Sequence, residues 1–327
     1  MTKRPSIAII GAGITGIQLA LRLSEVSDIK VFEKSRGIGG RMSTRRADGF
    51  QFDHGAQYFT AHGHAFQKTL EPYLFDGTVA QWQPRLTAFG ADAQPALWTA
   101  PRYVAVPGMN ALCKAMAEGI DVARQTRIAK IAEARKGGWT LTSQTGDDCG
   151  VFDWVLCTAP AEQAAKLMPR SFSEAEVLSK ARMLGCYSLM VGGVDVSALP
   201  WDAAIGTGGP LAWIAVNHSK PGRSTASSLM CQSSNVWAEQ HLEDDPASVR
   251  ALLLAEVKEI TGLNVDAAQY LSLHKWRFAK VDAPADQPCL IDAGRGLGAA
   301  GDWCGAGRVE AGFDSANALA SAVLDAL

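Results

Sequence analysis

The feature that most constrains the fold of this chain is a glycine-rich turn near its beginning. The apolar run Ile7-Ala8-Ile9-Ile10 leads directly into Gly11-Ala12-Gly13-Ile14-Thr15-Gly16, and an amphipathic segment follows. In a strand–turn–helix unit, Gly11 allows the tight turn, Gly13 lets backbone amides approach a pyrophosphate, and Gly16 lets the helix pack closely on the strand. The start of such a helix favours an anion, because its free amides and its dipole point outwards. We therefore predict a dinucleotide-binding unit with phosphate contacts from Gly11, Ala12, Gly13, Ile14, Thr15 and Gly16.

An acidic residue and a second glycine run follow in the order expected for such a unit. Glu33 ends the apolar segment Ile29-Lys30-Val31-Phe32, where its carboxylate can accept hydrogen bonds from the adenosine ribose. Gly37-Ile38-Gly39-Gly40-Arg41 then offers close backbone approach and a fork of guanidinium donors for phosphate. The alternative is a surface loop with one solvated arginine. From this stretch we expect cofactor contacts at Glu33, Lys34, Gly40 and Arg41.

A second signature lies near the end of the chain and identifies the dinucleotide. Gly301-Asp302 follows the apolar segment at residues 297–300 and precedes Val309-Glu310-Ala311-Gly312 and a helix of small residues. A late aspartate in this position can bind the ribityl chain of an extended FAD that begins at the first strand. The two ends together therefore predict FAD, held non-covalently, because Cys304 lies outside the sequence context in which flavoproteins attach their flavin. Further expected contacts are Gln57, Tyr58, Phe59, Ile128, Ala159, Asp302 and Val309.

Composition excludes several classes of protein. A net charge of −2 implies no general affinity for nucleic acid or acidic membranes. No segment reaches the roughly 18 apolar residues of a membrane helix, and the first apolar run lacks the pattern of a signal peptide. The seven cysteines are scattered without a CxxC motif, which suits a reducing cytoplasm without disulfides. The histidine spacing favours no metal site.

The order of the patterns predicts a chain that visits two domains alternately. We expect an α/β fold, α+β overall, with a Rossmann-like FAD-binding domain from residues 1–67, 101–165 and 290–327. Residues 68–100 and 166–289 should form a substrate domain with a mixed sheet, in which residues 68–100 contribute strands. In that domain Asp245 can cap a helix that Gly262 ends. The apolar residues expected on its core face are Val249, Leu252, Leu253 and Val257.

Three longer blocks carry a more specific resemblance. They are Phe52-Asp53-His54-Gly55-Ala56-Gln57-Tyr58-Phe59-Thr60, Tyr103-Val104-Ala105-Val106-Pro107-Gly108-Met109-Asn110 and His274-Lys275-Trp276-Arg277-Phe278-Ala279. With these blocks the chain resembles the renalases in their bacterial form, which are FAD enzymes of the amine-oxidase structural family. The resemblance implies oxidation of the 2- and 6-dihydro isomers of NAD(P)H to NAD(P)+, with O2 reduced to H2O2. It implies a small dinucleotide substrate and O2 as partners, and no protein partner is evident.

The chemistry implied by this resemblance makes few demands on catalytic groups. Hydride transfer to flavin N5 needs no acid or base, since the donor becomes an aromatic cation, so we expect catalysis by positioning. Two alternatives stay open: a small amine oxidase or desaturase on the same scaffold, and a non-catalytic flavin-binding redox protein. A buried tryptophan is more often core than ligand. The candidate substrate contacts are Tyr58, Phe59, His62, Trp82, Trp98, Tyr187, Trp213, Asn235, Trp276 and Arg277.

Overall fold

A six-stranded sheet carries the first glycine turn. The computed structural model describes residues 4–91, 93 and 100–327, and strands and helices are numbered here in chain order. The four central strands run parallel, with an antiparallel strand at one edge and a fifth parallel strand at the other. The order across the sheet is β18 (Leu290–Asp292), β19 (Leu297–Ala299), β12 (Trp154–Cys157), β1 (Ser6–Ile10), β2 (Asp28–Glu33) and β8 (Val122–Arg124).

A second six-stranded sheet is mostly antiparallel. Only the pair β14 and β6 is parallel, which makes the sheet mixed, as predicted. Its order is β17 (Tyr270–Ala283), β13 (Arg182–Gly192), β16 (Ser228–Ser233), β15 (Leu211–Val216), β14 (Ala203–Thr207) and β6 (Leu86–Gly90). Smaller sheets are formed by β9 (Ile128–Glu133), β10 (Trp139–Ser143) and β11 (Asp148–Phe152), by β3 (Arg45–Ala47) and β4 (Phe50–Phe52), and by β5 (Val79–Gln81) and β7 (Tyr103–Ala105).

Helices cover these sheets. The first and last helices, α1 and α8, pack against each other beside the first sheet, so that the two ends of the chain meet. None of the helices in the described part of the chain is long and apolar enough to cross a membrane. The helices are α1 (Ile14–Leu23), α2 (His64–Phe75), α3 (Ala111–Met116), α4 (Ala161–Leu167), α5 (Ala175–Lys180), α6 (Asn235–Gln240), α7 (Pro246–Thr261) and α8 (Val309–Ala326).

The end caps of α7 agree with the sequence analysis, but its core face is narrower than predicted. The carboxylate of Asp245 accepts a hydrogen bond from the amide of Ser248, and Gly262 ends the helix at φ +68°. Val249, Leu253 and Val257 are fully buried against the second sheet, whereas Leu252 is 52 % exposed. The expectation for Leu252 was wrong, because only a narrow stripe of the helix, at Val249, Leu253 and Val257, faces the core.

Two further local predictions were wrong. Residues 64–75 form α2 where strands were expected from residue 68, because Phe66 and Leu70 lie at helical spacing and are buried. The ring of Phe66 packs on Phe313 of α8 with centroids 4.8 Å apart, so α2 covers the first sheet. The apolar residues between Val151 and Leu156 likewise predict a single strand, but the structure breaks it at Asp153, whose carboxylate accepts from the amide of Ser6 at 2.8 Å.

Candidate functional site

The glycine turn between β1 and α1 has the shape that a dinucleotide requires. A Cβ atom on Gly16 would lie 1.9 Å from the carbonyl oxygen of Gly11, so the close packing of helix on turn excludes any side chain. A Cβ atom on Gly13 would meet no atom within 4 Å, which leaves open space above the start of α1. Gly40 lies across from Gly13, with its own hypothetical Cβ 3.3 Å from the Gly13 Cα. The two glycine runs therefore form the walls of one cradle, which fits a pyrophosphate at a helix N-terminus.

Glu33 stands at the end of β2 beside this cradle. Its carboxylate is buried and accepts hydrogen bonds from the amide of Ala12 at 2.9 Å and from that of Ser35 at 2.7 Å. The side chain thus fixes the turn that follows β1 and keeps a negative charge where a ribose hydroxyl would donate. This is the position that the sequence analysis assigned to the ribose acceptor.

Arg41 and Asp302 join the two signatures of the chain. Two guanidinium nitrogens of Arg41 donate to the two carboxylate oxygens of Asp302, at 2.8 and 2.5 Å. Asp302 follows β19 and lies in the short turn before α8, so it comes to the carboxyl ends of the parallel strands. Ligands of α/β sheets bind at this edge. The phosphate donor and the ribityl acceptor of the sequence analysis are therefore direct neighbours.

The segment from His54 to Gln57 connects this pair with the second sheet. The carbonyl of Arg41 accepts from the amide of Ala56 at 2.9 Å, and a Cβ on Gly55 would lie 1.9 Å from that carbonyl oxygen. From the second sheet, Trp276 Nε1 donates to the His54 carbonyl at 2.7 Å, and Gln232 Nε2 donates to the Gly55 carbonyl at 2.7 Å. We call residues 54–57 the junction segment, because it is bonded both to the backbone of Arg41 and to the second sheet.

A fully buried ion cluster lies directly behind the junction segment. The Asp53 carboxylate accepts from Lys220 Nζ at 3.3 Å and from Arg223 at 2.7 and 3.0 Å, and all three side chains have no exposed surface. Burial alone would raise the pKa of Asp53, but Lys220 and Arg223 outweigh it and lower that pKa. Burial lowers the pKa of Lys220 to about 8, with Asp53 opposing the shift. At neutral pH the cluster therefore holds one negative and two positive charges.

Gln57 links the ion cluster to an aromatic group. Its amide oxygen accepts from Lys220 Nζ at 3.0 Å and from Trp213 Nε1 at 3.2 Å, and its amide nitrogen donates back to the Asp53 and Gly55 carbonyls. The ring of Trp213 lies 5.7 Å from that of Tyr58 and 6.3 Å from that of Trp82. Three of the candidate substrate contacts, Tyr58, Trp82 and Trp213, are thus brought together at one end of the junction segment.

A second ring group lies at the other end of the segment. The His54 ring is 5.0 Å from that of His274 and 5.3 Å from that of Trp276. Burial, with the neighbouring His274 and Arg45, lowers the pKa of His54 to about 3. Burial and Arg45 lower the pKa of His274 to about 4. Both imidazoles are therefore neutral at physiological pH and cannot take a proton from an ordinary ammonium group.

The structure separates two residues that the sequence analysis placed side by side. Trp276 faces the junction segment, but Arg277 points to the opposite face of β17, where it pairs with Glu243 at 2.6 Å. Tyr187 also lies on that opposite face, buried against α6, with its hydroxyl donating to the His241 carbonyl. Successive residues of a strand alternate between faces, so the structure does not bring Arg277 and Tyr187 together with Trp276.

The remaining substrate candidates are dispersed. Phe59 is core, with its ring 5.9 Å from that of Phe66. His62 is exposed; its backbone amide donates to the carboxylate of Glu310, and its carbonyl accepts from Gln67 Nε2 at 3.3 Å. Asn235 begins α6 and donates to the Gly185 carbonyl at 2.7 Å. Trp98 lies outside the described residues.

The other predicted cofactor contacts surround the first sheet. Lys34 follows Glu33 at the surface, with its amine 3.3 Å from the amide oxygen of Gln163. The side chain of Ile128 is buried in the core below β2, and Val309 is the first residue of α8. The Ala159 carbonyl accepts from Trp303 Nε1 at 3.0 Å. Their roles toward a cofactor stay predictions.

Several residues of this region were missed by the sequence analysis. The segment Asn217–Arg223 supplies two of the three charges of the buried cluster and an amide that bonds to the backbone of β4. It looks like a polar surface loop, and no spacing links it to Asp53. The only available signal was Asp53 itself, a charged residue directly after the apolar strand residues of β4.

Comparison with sequence families gives two matches. Residues 9–72 match the NAD(P)-binding Rossmann-like domain, and residues 86–324 match the flavin containing amine oxidoreductase family. The chain is also 36 % identical over 85 residues to a 4,4'-diapophytoene desaturase of Staphylococcus aureus. That match covers 21 % of this chain and only 17 % of the desaturase.

Solved structures agree with this chain over its whole length, although the sequences have diverged. Cyclohexylamine oxidase from Brevibacterium oxydans IH-35A superposes with a TM-score of 0.75 at 14 % identity, covering 99 % of both chains. Wild-type putrescine oxidase bound to putrescine gives 0.69 at 12 % identity, covering 98 % of this chain and 99 % of the oxidase. Reduced UDP-galactopyranose mutase gives 0.73 at 13 % identity, covering 98 % of this chain and 94 % of the mutase. At these identities the similarity establishes the fold.

Proposed function

Because this chain belongs to the flavin-containing amine oxidoreductase family, we propose that it oxidises the 2- and 6-dihydro isomers of NAD(P)H to NAD(P)+. The family makes the protein an FAD-dependent oxidoreductase; the choice of donor is the proposal. FAD, when bound, supplies the acceptor for the hydride and returns the electrons to O2, which gives H2O2. We assign the pyrophosphate to the glycine cradle and Arg41, the adenosine ribose to Glu33 and the ribityl chain to Asp302.

One observation carries the choice of donor: two ring groups flank the junction segment, and the two imidazoles in one of these groups are poor proton acceptors. Trp276 and Trp213 bond to the two ends of the segment, at His54 and Gln57. Flat aromatic surfaces suit a nicotinamide ring, because offset stacking buries both faces. The protein's contribution is then to hold the donor ring in place and to exclude water.

The charge state of the described groups argues against a simple amine as donor. An amine is protonated at neutral pH and must lose a proton before it is oxidised. The imidazoles of His54 and His274, with pKa values of about 3 and 4, are too weakly basic for that step. Asp53 is held by Lys220 and Arg223. A dihydronicotinamide needs no such proton transfer, because it leaves as an aromatic cation.

Anaerobic stopped-flow reduction of the purified holoenzyme tests this function. The donors are 2-dihydro-NAD(P), 6-dihydro-NAD(P), ordinary 4-dihydro-NADH and a panel of primary amines. We expect rapid bleaching of the flavin by a 2- or 6-dihydro isomer and slow bleaching by NADH. Rapid bleaching by an amine, with none by the isomers, would establish the amine-oxidase alternative instead. No bleaching by any donor would favour a non-catalytic flavoprotein.

A further inference from the structure

Arg45 stands out among the cations of this chain because of its surroundings. It begins β3 and is half-buried against β17, where one guanidinium nitrogen donates to Ser272 Oγ at 3.2 Å. Another lies 3.5 Å from His274 Nδ1. Among the residues that the structure describes, no carboxylate forms an ion pair with Arg45. Six other arginines each have a carboxylate oxygen within 3.4 Å. A half-buried guanidinium without a counter-charge is a ready partner for an anion.

The neighbours of Arg45 form a continuous strip on one face of β17. Ser272, His274 and Trp276 alternate along the strand and therefore point to the same side, the side of the junction segment. Residues four apart in a strand are separated by roughly 13 Å, so the strip runs that far from the Trp276 indole to the Ser272 hydroxyl. The strip thus has a ring-binding end at Trp276 and a cationic end at Arg45.

An aromatic end and a cationic end on one strip match the nicotinamide ring and the nearest phosphate of a dinucleotide. In NAD(P) a single ribose separates the nicotinamide from the first phosphate, a path shorter than the strip. We propose that Arg45, with Ser272 and His274, binds a phosphate group of the donor while its nicotinamide lies toward Trp276. This inference rests on the proposed function for the identity of the ring. Arg277, the other arginine near Trp276, lies on the opposite face of β17 and pairs there with Glu243.

Neutral histidine suits this position. His274 remains uncharged with Arg45 beside it, so the two do not repel each other, and its imidazole can donate one hydrogen bond. The Ser272 hydroxyl now accepts a hydrogen bond from Arg45. When an anion takes its place as the acceptor, the hydroxyl can donate to that anion. The strip would therefore present a charged fork and two neutral donors to one phosphate.

Equilibrium binding to the holoenzyme tests the anion site without turnover. NAD+, NADP+ and inorganic pyrophosphate are titrated against the Arg45→Ala, Arg45→Lys and wild-type proteins, and the change in flavin absorbance is followed. We expect Arg45→Ala to weaken dinucleotide binding roughly 10-fold or more, since a charge-assisted hydrogen bond is lost. Arg45→Lys should recover part of the affinity, because lysine keeps the charge but loses the fork.

Two matched controls separate a phosphate contact from a general loss of charge. Arg46→Ala removes the adjacent, exposed arginine, and Arg277→Ala removes the one on the far face of β17. Both should leave the affinity within about twofold of the wild type. Equal weakening by Arg46→Ala and Arg45→Ala would overturn the proposal. FAD content and the thermal unfolding midpoint of each variant are measured alongside.

A truncated donor distinguishes this proposal from the proposed function. The 2-dihydro isomer of an N-alkylnicotinamide has the ring but no phosphate. This donor should therefore reduce the flavin of the Arg45→Ala variant as fast as it reduces the flavin of the wild type. An equal slowing with truncated and complete donors would overturn the phosphate assignment. If no dihydronicotinamide reduces the wild type, the proposed function fails, while Arg45-dependent binding of NADP+ or pyrophosphate would still establish the anion site.

Discussion

The guanidinium of Arg41 donates two hydrogen bonds to the carboxylate of Asp302, at 2.8 and 2.5 Å, although the residues are 261 positions apart in the chain. The Arg41 side chain is 30 % exposed and that of Asp302 is 12 % exposed, so the pair lies at the wall of the site and not in the core. Arg41 also donates to the Ala279 carbonyl of β17 at 3.3 Å. The pair therefore ties the two sheets together beside the glycine cradle.

Replacing Asp302 should release flavin. Asp302→Ala leaves Arg41 without its partner and removes the expected ribityl acceptor, so we expect FAD affinity to fall roughly 10-fold or more. The measurement is the FAD-to-protein ratio after gel filtration, followed by titration with FAD. Asp325→Ala, an exposed position at the end of α8, is the control. Full FAD content and full turnover in Asp302→Ala would show that the residue only supports the start of α8.

Replacing Glu33 should also weaken FAD binding. Its carboxylate holds the amides of Ala12 and Ser35 and is expected to accept from the ribose. Loss of hydrogen bonds to a charged group costs about 1.5–3 kcal/mol. Glu33→Ala should show that loss in an FAD titration, and Glu33→Gln should be intermediate. An unchanged FAD affinity in Glu33→Ala would contradict the assignment of the ribose to this residue.

Replacing Asp53 and replacing Lys220 in the buried ion cluster should lower the free energy of unfolding by different amounts. Asp53→Asn leaves Lys220 and Arg223 buried without a counter-charge, and breaking a buried pair in this way destabilises by about 3–5 kcal/mol. Lys220→Met leaves Asp53 paired with Arg223, so the loss should be smaller. Urea unfolding of both variants gives the comparison. A larger loss in Lys220→Met than in Asp53→Asn would mean that Lys220 is the more important charge.

The two neutral histidines should make the fold sensitive to acid. The pKa of His54 is lowered to about 3 and that of His274 to about 4, below the ordinary value of 6.5, so the unfolded chain takes up protons first. Their contribution to stability is complete above pH 6.5 and is lost as the pH falls toward 4. For His54 the slope approaches about 1.4 kcal/mol per pH unit.

Unfolding by urea between pH 7.5 and 4.5 measures this slope. His54→Gln should flatten it, since glutamine does not titrate, whereas His64→Gln, an exposed position at the start of α2, should not. The same slope in His54→Gln and in the wild type would show that other groups govern the acid response.

The flavin should be released by acid. Cys304, the cysteine nearest to the Gly301-Asp302 turn, is 4 % exposed, and burial raises its pKa to about 11, so it remains a thiol. After precipitation with trichloroacetic acid, the yellow colour should be in the supernatant. Flavin that stays on the precipitated polypeptide would contradict non-covalent binding and would direct peptide mapping to Cys304.

The parts of this protein that depend on local geometry could be predicted from its amino-acid order. Gly16 has to lack a side chain because of an atom five residues away, and Asp245 and Gly262 cap α7 through neighbours within four residues. Constraints of this range leave a pattern that can be recognised without knowledge of the rest of the fold. The dinucleotide-binding unit was predicted for this reason, whereas the amine-oxidase fold was predicted from the resemblance of three longer sequence blocks.

Which side chains face the junction segment depends instead on how distant parts of the chain pack together. Alternation along β17 was foreseeable, but both faces of this strand are partly covered, so the sequence does not say that Trp276 faces inwards and Arg277 outwards. The partners of Asp53, at positions 220 and 223, come from a loop that carries no motif. Contacts between residues this far apart depend on how two sheets pack together, and that arrangement is set by the sum of many small packing terms and not by any local pattern.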